Sequence, residues 1–62
     1  MNTYIEGQIR NMITAANMFK KSCQMAAQMD DKNISKEEAK QLKKINAITD
    51  RFTKELNEIL ED

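Results

Sequence analysis

Apolar residues return along the first half of the chain in alternating steps of four and three: Ile5, Ile9, Met12, Ala16, Phe19, Cys23 and Ala26. The second half repeats the rhythm with Leu42, Ile45, Thr49, Phe52, Leu56 and Ile59. Such heptad seams mark α-helices that pack knobs into holes. Two T/S-x-x-E signatures, Thr3 with Glu6 and Ser35 with Glu38, place capping boxes at two helix starts. Ile34, just before the second, can staple onto Ala39. Between the seams, Asp30-Asp31-Lys32-Asn33 is the polar break long enough for a turn, and Asn33 suits the left-handed residue that often closes a helix. The pattern predicts helices over about residues 4–29 and 36–60, joined by a turn over about 30–35 in a single 62-residue unit.

Folding about that turn pairs the two seams layer by layer. Ile5 falls by Ile59, Ile9 by Leu56, Met12 by Phe52, Ala16 by Thr49, Phe19 by Ile45 and Cys23 by Leu42. Each layer has an apolar member from the first helix. The expected fold class is therefore all-α, an antiparallel two-helix hairpin.

The hairpin is not expected to stand alone. A second stripe, Ala15, Met18, Ser22, Met25 and Met29, runs about 100° around the first helix from the seam. Ile48 and Leu60 lie beside the seam of the second helix, and Ile13 and Ala27 beside that of the first. A large side chain left in water forgoes roughly 1.5–3 kcal/mol of burial, a serious loss for a domain stabilised by only several kcal/mol. The expectation is assembly into a helical bundle as a homodimer or higher homo-oligomer, with a protein partner as the other occupant of the stripe. Met18, Ser22, Met25, Met29 and Ile48 are the candidate partner-binding or oligomer face, since methionine adapts to varied partners.

Composition narrows the chemistry. Cys23 is the single cysteine, so no disulfide forms within one chain, and there is no histidine to build the usual zinc sets. Catalysis by Cys23 would need a base, and the thiol sits on the core seam, where thiols are usually inert. No catalytic residues, metal ligands or cofactor are expected, and an enzyme is not. Ten basic and ten acidic side chains give a formal net charge of zero, against bulk attraction to polyanions or membrane. No apolar run approaches the roughly 20 residues of a membrane span. One unpaired cysteine and no secretory leader suggest the reducing cytoplasm.

Several polar groupings carry further readings. Arg10, Asn17 and Gln24 recur every seven residues on the outer face of the first helix, with Lys20, Lys21 and Gln28 nearby. Such side chains can touch phosphates or base edges, which makes Arg10, Asn17, Lys20, Lys21 and Gln24 a candidate nucleic-acid contact. Exposed aromatics for stacking are not expected there, because both phenylalanines are placed in the core. Lys32, Lys36, Lys40, Lys43 and Lys44 gather toward the turn, while Glu55, Glu58, Glu61 and Asp62 gather at the open end. The segment from Asp31 to Glu38 resembles the second half of an EF-hand loop. Alignment, however, puts Ala27 and Met29 at the first ligand positions and Lys32 where glycine belongs, so calcium is rejected. Gly7 reads as an exposed position in a fraying first turn.

In length, turn position and heptad layout the chain resembles the small RNA-binding repressor of primer, a plasmid copy-number regulator that dimerises from two-helix hairpins. The likeness is architectural and carries over no residues and no activity. The function expected from the residues is a small non-enzymatic adaptor, inhibitor or regulator acting through helix-mediated protein–protein interaction and oligomerisation. The alternatives are an RNA-binding dimeric hairpin regulator, or an oligomer that captures a small, nucleotide-like ligand between helices.

Overall fold

The computed structural model describes residues 1–30 and 35–61. Two helices, α1 (Thr3–Asp30) and α2 (Lys36–Glu61), account for nearly all of them. The helices pack on each other as a hairpin measuring 46 × 16 × 9 Å. Their direction is fixed by two cross-helix hydrogen bonds. Lys20 Nζ donates to Asp50 Oδ1 at 2.7 Å, and Gln24 Nε2 donates to Asn46 Oδ1 at 3.2 Å. Advancing four residues on α1 retreats four on α2, as antiparallel helices require.

The cap of α2 shows the hydroxyl half of the expected capping box: Glu38 N–H donates to Ser35 Oγ at 3.1 Å, while among the described residues Glu38 Oε2 is enclosed without a hydrogen-bond partner. Glu37 and Glu38 then place negative charge on the positive end of that helix. The cap of α1 lies one residue earlier than expected. Asn2 Oδ1 accepts from the N–H groups of Tyr4 at 2.7 Å and Ile5 at 3.3 Å, so Asn2 is the cap and Thr3 is already helical. Glu6, expected to complete a capping box with Thr3, instead accepts from Arg10 Nη2 at 3.0 Å. The staple from Ile34, the left-handed Asn33, and most of the EF-hand-like segment lie outside the described residues.

The seam between the helices differs from the expected one in a regular way. Ile9 and Leu56, expected to meet, are the buried apolar residues of the hairpin, 6% and 8% exposed. Ala16 and Cys23 on α1, and Leu42 and Thr49 on α2, are half-buried with them. The alternate positions have moved. Ile5, Met12, Phe19 and Ala26 are exposed on α1, and the residues one further on, Glu6, Ile13, Lys20 and Ala27, are half-buried in their place. On α2, Phe52 and Ile59 are exposed while Asn46, Thr53 and Leu60 are half-buried. Four of the seven seam positions on α1 and two of the six on α2 have shifted by one residue, Ile45 staying half-buried beside Asn46, so each helix is rolled by roughly 50° from the orientation its apolar stripe predicts.

Polar groups account for the direction of the roll. It brings Lys20 within reach of Asp50 and Gln24 within reach of Asn46, and both pairs close the same side of the hairpin. It also places two threonines at the seam, where their hydroxyls are satisfied by their own helix. Thr49 Oγ1 donates to the Ile45 carbonyl at 2.7 Å, and Thr53 Oγ1 donates to the carbonyls of Thr49 and Asp50 at 3.1 Å each. No helix of the described residues is long and apolar enough to cross a membrane.

Candidate functional site

Rolling the helices turns the strongest apolar stripes of both outward, and it turns them to one side. The exposed residues Ile5, Met12 and Phe19 each precede a seam residue of α1, and Phe52 and Ile59 each precede a seam residue of α2. A step back of one residue turns a helix in a fixed sense about its own axis. For two antiparallel helices facing each other, both turns lead to the same side. The side opposite carries Arg10, Asn17 and Gln24 from α1 with Lys43, Asp50 and Asn57 from α2. The hairpin is thus a slab with one apolar and one polar broad face.

The apolar face is extensive. Phe19 is 72% exposed, and Ile5, Met12, Ile48, Phe52 and Ile59 are exposed around it. The four charged side chains between Tyr4 and Met29, those of Glu6, Arg10, Lys20 and Lys21, all lie at angles toward the seam or the polar face. The α1 half of the apolar face therefore carries no charge along that stretch.

The residues singled out as a partner face fall into two places. Met18, Met25 and Met29 are all exposed; Met18 and Met25 lie on the back of α1, opposite α2, while Met29 shares with Ser22 the rim between that back and the apolar face. Ile48 lies on α2 at the rim of the apolar face, 58% exposed. Ser22, Met29 and Ile48 thus border the apolar face, and Met18 and Met25 lie furthest from it. The larger apolar face was missed because its members had been placed in the hairpin core. The signal available was Ile13 and Ala27, a second apolar line beside the chosen one.

Of the nucleic-acid candidates, Arg10, Asn17 and Lys21 are exposed, while Lys20 and Gln24 are half-buried toward α2. Arg10 is paired with Glu6 at 3.0 Å, Lys20 with Asp50, and Gln24 with Asn46, so three of the five are engaged within the hairpin. The expectation that both phenylalanines lie in the core is corrected as well, since Phe19 and Phe52 are exposed, on the apolar face rather than on the polar face that carries Arg10 and Lys43. Among the described residues no group of three or more Cys, Asp or Glu could hold a metal ion. Two shallow depressions, one bordered by Lys40, Lys43, Lys44 and Ala47 and the other by Asp50, Thr53, Lys54, Asn57, Glu58 and Glu61, are each lined by α2 alone. Cys23 is half-buried at the seam as a free thiol.

No protein-family model matches the chain, and no curated protein or solved structure is similar enough to lend it a function.

Proposed function

We propose that the chain is a small non-enzymatic adaptor, inhibitor or regulator that works by docking its helices against other proteins and against copies of itself. One observation carries the reading: among the described residues the hairpin buries two large apolar side chains, Ile9 and Leu56, and leaves eleven exposed. The total accessible surface is 5379 Å². A compact monomer of 7.2 kDa would present about 4,100 Å². The excess of roughly 1,300 Å² exceeds what each partner contributes to a standard interface, about 800 Å². Ile5, Met12, Phe19, Phe52 and Ile59 share one exposed face, and contiguous apolar surface is what protein interfaces use.

The RNA-binding alternative is weakened by the bonds that Arg10, Lys20 and Gln24 make within the hairpin. Capture of a nucleotide-like ligand calls for a pocket between the helices of an oligomer, and the two depressions among the described residues of one hairpin are each lined by α2 alone. The lone thiol of Cys23 agrees with a reducing compartment such as the cytoplasm.

The test is affinity capture from the native cell, comparing the wild-type chain with Met18→Asp/Met25→Asp. A specific protein retained by the wild type at both low and high salt, and lost by the variant, supports the reading. Retention of RNA alone, falling steeply with salt, overturns it.

A further inference from the structure

We infer that the apolar face is covered by a second copy of this chain, with the hairpins antiparallel, α1 against α1 and α2 against α2, so that the two methionine stripes come together on the outside of the dimer. The inference rests on the docking reading above and adds the occupant, the orientation and the surface left for a third party.

The occupant follows from the roll of the helices. In a square four-helix bundle the apolar stripe of each helix points at the bundle axis, which lies about 45° off the direction of its adjacent neighbour. Both helices here carry their stripes roughly 50° off the direction of the other, and to the same side. That is half of a square bundle, and the missing half has the same dimensions and the same heptad spacing as the half present. A second copy supplies both helices at once. The surplus of exposed area is of the size that such closure removes from each hairpin.

Charge selects the orientation. The axis that turns the hairpins head to tail sets α2 beside the α2 of the partner subunit. With the helices fully overlapped about the middle of Lys36–Glu61, Ile48 faces Ile48 of the partner subunit near the axis. Lys44 then lies within about 3 Å, along the axis, of the level of Glu55 of the partner subunit, within the reach of a lysine side chain. Among the described residues the ion pairs are Arg10–Glu6 and Lys20–Asp50, which leaves Lys44 and Glu55 available. The uncharged halves of α1 meet across the axis, where Ala15, Ser22 and Ala26 leave room beside Phe19 and Met12. Turning the hairpins side by side would instead set Lys44 and Glu55 along that uncharged half of α1, without an opposite charge to pair with.

The consequence is a shared surface. In the antiparallel dimer the backs of the two α1 helices form one layer, with Met18 and Met25 from each copy on its outer side and Met29 at its edge. A single hairpin offers half of it. The partner chemistry it suits is an apolar helix laid along two helices, which is the recognition mode that methionine-rich grooves serve.

Disulfide trapping tests the orientation. Ile48→Cys in a Cys23→Ala background is expected to give a covalent dimer within minutes of mild oxidation, because residues beside the axis can reach disulfide geometry. Sedimentation equilibrium tests the charge pairing. Lys44→Glu or Glu55→Lys alone should raise the dimer dissociation constant about tenfold, two symmetric pairs being reversed in each case. The double exchange should return it to within about twofold of the wild type. A dimer in which Ile48→Cys stays uncrosslinked, or in which the double exchange fails to restore affinity, overturns the arrangement. A folded monomer at tens of micromolar overturns the occupant. If that monomer still holds a protein partner through Met18 and Met25, the docking reading survives while the dimer does not.

Discussion

Lys20 Nζ lies 2.7 Å from Asp50 Oδ1, and this contact between the two helices occupies a position where the heptad pattern alone would have placed Phe19. Lys20 is the more enclosed partner, its side chain 26% exposed against 64% for Asp50. Its methylene stem takes a seam position while the ammonium group reaches the polar face. Reversing one charge, Lys20→Glu, is expected to lower stability by about 1 kcal/mol in urea denaturation, the upper end for a partly exposed pair. Adding Asp50→Lys should recover most of the loss. If the double exchange recovers nothing, the contact does not set the roll of the helices.

At the start of α1, the cap belongs to Asn2, whose Oδ1 accepts from the N–H groups of Tyr4 and Ile5. Asn2→Ala is expected to cost about 1 kcal/mol and to reduce helicity measured by circular dichroism. Thr3→Ala, one residue away, should change stability by no more than a few tenths, because it alters a helical position rather than a cap. Equal losses from the two substitutions would restore Thr3 as the cap.

These two sites show what the sequence could and could not disclose. The hairpin was legible because its signals are local: Ser35 with Glu38 starts a helix wherever it stands, and heptad spacing gives the period. The position of the cap at Asn2 or Thr3 was not, since both residue types can cap and a Glu three residues later favours Thr3. The azimuth of the helices was hidden for a different reason. Apolar residues at three positions per heptad make a wedge too wide to name one neighbour, and the richest line, Ile5–Met12–Phe19, was assigned to the hairpin seam. The structure places Glu6, Ile13 and Lys20 there instead. Polar pairs decided the matter, and cross-helix pairs such as Gln24 with Asn46 are invisible until the register is known. The same wedge explains why the partner residues Met18 and Ile48 looked like one surface but lie on two.

Gly7 offers a cleaner test of the first turns. A Cβ built on it meets nothing within 4 Å, and its backbone has no left-handed conformation that would need glycine. Gly7→Ala is expected to stabilise the protein by about 1 kcal/mol, through helix propensity and a less disordered unfolded chain. The check is a rise in the urea midpoint with unchanged cooperativity. A fall would show that another chain approaches the backbone at Gly7.

The contrast between Ile9 and Phe19 separates the two apolar surfaces. Ile9 is 6% exposed within a single hairpin, so Ile9→Ala removes packing that does not depend on assembly. Its cost is expected to be about 2–4 kcal/mol. Phe19 has little to lose within the hairpin, being 72% exposed, and its burial would come only from another chain. When folding is linked to association, stability rises with protein concentration. Urea midpoints should therefore climb between about 1 and 100 μM for the wild type and, from a lower start, for Ile9→Ala. For Phe19→Ala the climb should flatten while the low-concentration midpoint changes little. Should Phe19→Ala keep the full concentration dependence, the face on which it lies is not where the copies meet.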